Sequence, residues 1–189
     1  PQLPPEALLG ATGMAAVAVC RAVERVSQAE VGIKWTNDLV LNGKKLCGIL
    51  TEMALEGETG TVQSLVIGAG VNVRHTPEDF GPEVAQVATS LAQEGYAVPR
   101  AALAAAMIEE LYRLSESLGG DVSGWVEEYR RRCVTLGRPV QLLWTQGRER
   151  AQALDIDSQF GLVVRRSDGS VTTVRTGEVS VRGLYGYTE

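Results

Sequence analysis

The 189-residue sequence is 44% apolar and 22% charged, with a formal net charge of −5. It is long enough to bury a sizeable core in one or two domains, and its acidic balance excludes a broad nucleic-acid-binding face. One histidine, His75, and three widely spaced cysteines, Cys20, Cys47 and Cys133, exclude a zinc site or a disulfide framework and point to reduced thiols.

Along the chain, Pro4 and Pro5 introduce an Ala- and Val-rich stretch, Glu6 to Ser27, with apolar residues at helical spacing. It reads as a buried scaffold helix. Arg21 and Glu24 interrupt it, so no membrane span is expected. With no signal peptide visible, the expected location is the cytoplasm. Gly10 and Gly13 are expected to admit close packing of another element.

The next stretch alternates strand-like runs with turn signals. Val31 to Trp35 and Leu39 to Leu41 are strands broken by Thr36-Asn37-Asp38. Asn42-Gly43 predicts a type I′ hairpin turn, because both residues tolerate positive φ. Lys45 to Met53 is the return strand, Glu56 to Gly60 a turn, and Val62 to Val73 an apolar third strand. The pattern predicts an antiparallel meander, not βαβ units. Thr76 to Gly81 reads as a loop, Val84 to Glu94 as a short helix, and Pro99 to Leu118 and Ser123 to Arg132 as helices.

Composition changes at Gly137. Five short runs follow, at 140–144, 150–156, 162–165, 171–175 and 178–182, with Gly and Asp-containing turns between them. They predict a small SH3-like β-barrel. The expected fold class is therefore α+β: a mixed, mostly antiparallel sheet with helices packed on one side, followed by that barrel. The expected domains are residues 1–136 and 137–189.

Several polar and glycine residues in the meander suit a phosphate-handling, acyl-activating site. Such a site needs a cation between a carboxylate and an α-phosphate, groups that hold Mg²⁺ and phosphate oxygens, and glycines that let backbone approach the ligand. Lys45, Asn37, Asp38, Asn72, Gly68 and Gly70 offer these chemistries. Taken singly, each also has a plain structural reading: Asn37-Asp38 as a turn, Lys44-Lys45 as a solvated hairpin arm, Gly68 to Gly70 as a strand bulge.

Together the blocks resemble the biotin protein ligases. KWTND at Lys34 to Asp38, KLCGIL at Lys45 to Leu50 and VIGAGVN at Val66 to Asn72 are similar to the family's KWPND, K-hydrophobic-small-GIL and IGxGxN, in the same order. ATSL at Ala88 to Leu91 and GEVSVRGLYGY at Gly177 to Tyr187 are also similar to family segments. The resemblance implies a class II synthetase-like catalytic domain that joins biotin to ATP, as its Mg²⁺ complex, and then to a lysine of a biotin carboxyl carrier domain. It implies Lys45 and Asp38 as catalytic, with Lys45, Gly48, Gly70 and Lys34 contacting biotin or its adenylate. It implies Asn37, Asn72 and Gly68 at the nucleotide, and Asn37 and Asp38 near the metal. It also implies pairing into a homodimer through a sheet edge.

Two departures qualify it. Thr36 stands where the motif has proline, so the loop lacks that residue's fixed φ. The family's glycine- and arginine-rich ligand loop and its N-terminal DNA-binding domain are not among these residues, so this stretch alone is expected to fall short of full activity and to bind no DNA. Two other readings are a lipoate-type ligase or acyltransferase, and a non-catalytic remnant that binds carrier protein or dimerises.

Overall fold

The computed structural model describes residues 4–57, 60–144, 147–175 and 180–183. The long N-terminal helix expected over 6–27 is divided. A 3-10 turn spans Pro5–Leu8, and the α-helix proper, α1, is Ala11–Ser27. Gly10 caps its start and Gln28, in the left-handed region at φ 60°, ends it. Eleven of the seventeen α1 residues are buried, which is why its sequence is apolar almost all round.

The meander is a four-stranded sheet in the order β1-β2-β3-β4: β1 Gly32–Lys34, β2 Asp38–Leu41, β3 Lys44–Leu55 and β4 Val62–Val71. Every strand pair is antiparallel. Among the described residues parallel pairing occurs only as two isolated bridges, Ile33 with Cys133 and Lys45 with Ala88, so the sheet is less mixed than expected. Asn42 and Gly43 take φ of 50° and 78° and close a two-residue turn between Leu41 and Lys44, as the Asn-Gly pair demands.

One sheet face packs on α1. Cys47 and Ile49 are buried there and Ile67, Ala69 and Val71 join the same core. The other face carries Gly48, Leu50 and Glu52 opposite Gly70, Gly68 and Val66. Leu50 and Val66 are 62% and 57% exposed, so this face is open. β4 is an edge strand.

Residues 76–98 differ from expectation. Pro77–Phe80 is a short helix, α2, with a Thr76–Asp79 capping box, the arrangement that satisfies the first free amides of a helix. The helix expected over Val84 to Glu94 is not formed; only a 3-10 turn at Val84–Gln86 is helical. Residues 87–92 instead follow the sheet. The Lys45 amide donates to the Val87 carbonyl (2.7 Å), the Thr89 amide to the Lys45 carbonyl (2.9 Å), and the Leu91 amide to the Asn72 carbonyl (3.0 Å). Pairing with the sheet outcompeted local helix formation.

Helices α3 (Arg100–Ser117) and α4 (Ser123–Arg132) pack on α1. A half-buried charge network fixes α4. Arg132 bridges Glu24 of α1 (2.5 Å) and Glu128 (2.7 Å), Glu128 also accepts from Arg21, and the Arg21 guanidinium lies 4.4 Å from the Trp125 ring centre. No described helix is long and apolar enough to cross a membrane.

The described residues from 139 onward form a second antiparallel sheet, in the order β8-β7-β6-β5-β9: β5 Pro139–Trp144, β6 Gly147–Ile156, β7 Leu162–Arg166, β8 Val171–Val174 and β9 Ser180–Gly183. Five strands appear where five were expected. Among the described residues this sheet does not close into a barrel: β8 and β9 are its two edges. Most of the Gly177–Tyr187 motif lies outside the described residues. The core is continuous between the sheets, with Leu142, Ile156, Phe160 and Leu162 in one buried cluster with α1 and the first sheet. Gly10 and Gly13 meet Phe160: a Cβ at Gly13 would lie 2.2 Å from its Cδ1.

Candidate active site

The site begins with a β-bulge. Between β2 and β3 the register runs Asp38–Gly48, Leu39–Cys47, then Val40–Lys45, which leaves Leu46 unpaired. Side chains alternate along a strand, so without the extra residue Lys45 would share the α1 face with Cys47. The bulge turns Lys45 onto the open face beside Gly48 and Asp38. Residues 87–89 grip the Lys45 backbone on both sides.

On that face the Lys45 ammonium lies 2.5 Å from Asp38 Oδ1. The lysine side chain is 39% exposed and the carboxylate 18%, so the pair borders solvent. Lys34 is the cross-strand partner of Asp38, which puts it on the same face. Gly48 is opposite Gly70, and Leu50 opposite Gly68. A Cβ at Gly48 would stand 3.3 Å from Lys45 Nζ and Cε. Bare backbone at 48, 68 and 70 therefore leaves a floor on which a flat ligand can lie close to the strands, with a cation at its end.

The two asparagines have backbone partners. Asn37 Nδ2 donates to the Ile49 carbonyl (2.7 Å), while the Ile49 amide donates to the Asn37 carbonyl (3.0 Å). Asn72 Nδ2 donates to the Thr89 carbonyl (3.0 Å). Both carboxamides thus knit loops to the floor. Among the described residues no three His, Cys, Asp or Glu side chains gather in a way that could hold a metal ion; Asp38 is the carboxylate that meets Lys45, with Asn37 next to it in the chain.

The loop that carries Asp38 is anchored from far along the chain. The Tyr129 hydroxyl donates to the Thr36 carbonyl (2.8 Å), the Trp35 amide to Thr135 Oγ1 (3.0 Å), and the Trp35 indole N–H to the Phe160 carbonyl (2.9 Å). The Trp35–Thr36 peptide is cis. Burial drives the Tyr129 hydroxyl well above the ordinary tyrosine range, so it stays a donor. Glu94 accepts from Thr89 Oγ1 (2.6 Å) and from Asn42 Nδ2 (2.6 Å), tying the 87–94 segment to the hairpin tip. Sequence patterns do not reveal these supports: no local motif marks Tyr129, Thr135 or Phe160.

The thiol of Cys47, next to Gly48, is pushed up to about 12 chiefly by burial, with the Asp38 charge adding to the rise; it is a packing group, not a nucleophile. A cleft of about 770 Å³ opens elsewhere, between the end of α1, the hairpin and the end of α4, lined among others by Glu24, Val40, Arg131 and Arg138. It shares Asn42 with the supports above, but Lys34, Asn37, Asp38, Lys45 and Asn72 do not line it.

The first sheet and its helices make an α+β domain with a lysine–aspartate pair over a glycine floor, and residues 3–72 match the model of the biotin/lipoate A/B protein ligase family. The bifunctional ligase/repressor BirA of Salmonella typhimurium is 30% identical over 181 residues, covering 94% of this chain and 55% of that protein. The biotin–[acetyl-CoA-carboxylase] ligase of Mycobacterium tuberculosis is 32% identical over 171 residues, covering 89% of this chain and 60% of that protein. The solved biotin protein ligase from Aquifex aeolicus in complex with biotin and ATP superposes with a TM-score of 0.74 at 21% identity, covering 96% of this chain and 75% of that one; at that identity the likeness is one of fold. These likenesses, taken together, run over nearly the whole of this chain. The chain spans a little over half the length of the two curated relatives just described.

Proposed function

We propose that this chain supplies the catalytic lysine and part of the ligand floor of an enzyme that activates biotin with MgATP and transfers it to a lysine of a biotin carboxyl carrier domain. The observation that carries the reading is Lys45, turned by the bulge onto the open face and held 2.5 Å from Asp38 above Gly48. In the first step the biotin carboxylate attacks the α-phosphorus of ATP. The new bond is carboxyl oxygen to phosphorus, and pyrophosphate leaves. Charge grows on the α-phosphoryl oxygens as this happens, and a fixed ammonium beside them lowers the barrier. Lys45 takes that role, exchanging Asp38 for the phosphate as its partner. Lys34 adds positive field.

In the second step the carrier's lysine amine attacks the acyl carbon of biotinyl-5′-AMP and AMP departs. The attacking amine sheds a proton, and Asp38, freed from Lys45, is the group at hand to accept it or to stabilise the positive charge. Gly48, Gly68 and Gly70 let biotin and its adenylate lie on backbone. Asn37 and Asn72 hold the loops that face the nucleotide and its Mg²⁺; Asn37 and Asp38 are the groups nearest to hand for the metal of the MgATP substrate.

We assign residues 1–136 to part of the catalytic domain and 137–189 to the family's SH3-like C-terminal domain, on the strength of the separate five-stranded sheet. The exposed β4 edge supports a homodimer, which sedimentation of the full-length polypeptide tests: a monomer at high concentration removes it.

The test of the activity is ATP–pyrophosphate exchange by the full-length polypeptide that carries this sequence, measured with biotin, with lipoate and with neither. Exchange that requires biotin is the expected result. Exchange with lipoate alone, or none with either, overturns the reading.

A further inference from the structure

We propose that Tyr129 is a positioning residue for the Lys45–Asp38 pair, acting through the Thr36 carbonyl, and that Thr135 and the Phe160 turn act with it; this rests on the ligase reading above. The two charged side chains stand on separate supports. Lys45 is fixed through its own backbone by residues 87–89. Asp38 lies at the start of β2, directly after the Trp35–Asn37 turn, and every anchor of Trp35 and Thr36 named above comes from beyond residue 128.

Those anchors are rigid. Tyr129 is fully buried and its ring meets Phe160 edge-on, with centroids 5.3 Å apart. Phe160 is in turn pressed against Gly10 and Gly13 of α1, and it holds a left-handed φ of 62°. That geometry turns the carbonyl of Phe160 toward the Trp35 indole, which is itself buried. Asn37 is pinned from the other side by Ile49 of β3. The loop is therefore held between β3 on one side and α4, Thr135 and the Phe160 turn on the other, and the position of Asp38 relative to Lys45 follows from where those supports hold it. Catalytic groups lose rate steeply when they drift by about 1 Å, so a hydrogen bond that never touches substrate still governs the chemical step.

Tyr129→Phe removes one hydroxyl and keeps the ring. Loss of a hydrogen bond of this type shifts a local opening equilibrium by at most roughly tenfold. The full-length polypeptide is compared with its Tyr129→Phe, Thr135→Val and Thr135→Ser variants by amide hydrogen exchange and by biotin-dependent pyrophosphate exchange. The expected result for Tyr129→Phe and Thr135→Val is exchange up to about tenfold faster confined to residues 35–38, with kcat lower by about three- to tenfold and KM for biotin within about twofold of wild type. Thr135→Ser, which keeps the hydroxyl, should restore both readouts.

Wild-type exchange at residues 35–38 overturns the inference, whether or not kcat falls. So does faster exchange spread evenly over the molecule, which marks a merely structural role, or local loosening with unchanged kcat in an active enzyme. If the wild-type protein shows no biotin-dependent exchange, the ligase reading fails. The hydrogen-exchange arm then decides alone whether Tyr129 orders the Asp38 loop.

Discussion

At the scale of single residues, the sharpest contrast lies between two adjacent lysines. Lys44 is exposed at the hairpin tip, and Lys45 reaches Asp38. Lys45→Ala is expected to lower the rate of adenylate formation by on the order of 100-fold or more, the usual loss when one charge contact to a transition state is deleted. Lys44→Ala should leave it nearly intact. Pre-steady-state adenylate formation measured on both variants checks this, and equal small effects would remove Lys45 from the chemistry. A second pair of residues tests packing. Gly13 and Gly124 both sit in helices, where alanine is intrinsically better by about 1 kcal/mol. At Gly124 nothing lies within 4 Å of the new methyl, whereas at Gly13 it would overlap the buried Phe160 ring. Gly124→Ala should stabilise modestly. Gly13→Ala should destabilise by about 1–3 kcal/mol despite its better propensity, because the ring is held in place. Denaturant midpoints of the two variants decide it, and a stabilised Gly13→Ala would show that Phe160 has room to move.

At the scale of elements, what was legible in the sequence tracks how local the determining physics is. Asn42-Gly43 encodes its turn in two residues, and the turn forms. Ser123–Arg132 is a helix at the bounds its apolar spacing predicts. The bulge at Leu46 was not legible: KKLCGIL alternates no differently with or without an unpaired residue, and only pairing with β2 and the 87–89 segment selects it. The same segment explains the missing helix over 84–94, whose amides found partners on β3 and after β4. For the site, the motif blocks brought Lys45, Asp38, Gly48 and Gly70 to notice, while their supports at Tyr129, Thr135, Phe160 and Glu94 left no local signal, since each acts across 50 or more residues or through an ordinary side chain. The α1–α4 contact offers a pH test. Burial works to raise the pKa of Glu128, but hydrogen bonds from Arg21 and Arg132 outweigh it and hold the carboxyl below the usual glutamate value. A lowered folded value means that this contribution is fully present above the unfolded value of about 4.5 and is lost as pH falls through the folded one. Glu128→Gln should therefore be less stable than wild type at pH 7, and the gap should close as pH drops below about 4.5. Thermal melts of both proteins from pH 7 to pH 3 measure that gap; one that stays constant would mean that the charge network contributes nothing through titration.

At the scale of the whole molecule, two sheets share one core. Strands β5 to β9 have their own order, which alone would suggest a unit able to unfold by itself. Three features oppose that. Phe160 is buried against α1 and Tyr129, the Trp35 indole donates into the second sheet's turn, and Arg130 of α4 binds Asp155 of β6 (2.6 Å) and the Ile156 carbonyl (2.6 Å). Removing the second sheet would strip cover from α1 glycines and from an indole that needs a hydrogen-bond partner when buried. The cost of separation thus falls on both parts, which is the condition for a single cooperative transition. Trp35 and Trp144 lie on opposite sides of the junction and serve as reporters. With either one kept as the sole fluorophore near the junction (Trp125 replaced by Phe in both versions), their guanidinium unfolding curves should coincide in midpoint and slope. A Trp144 transition at clearly lower denaturant than that of Trp35 would show that the second sheet melts first, and that the Asp38 loop survives without its Phe160 anchor.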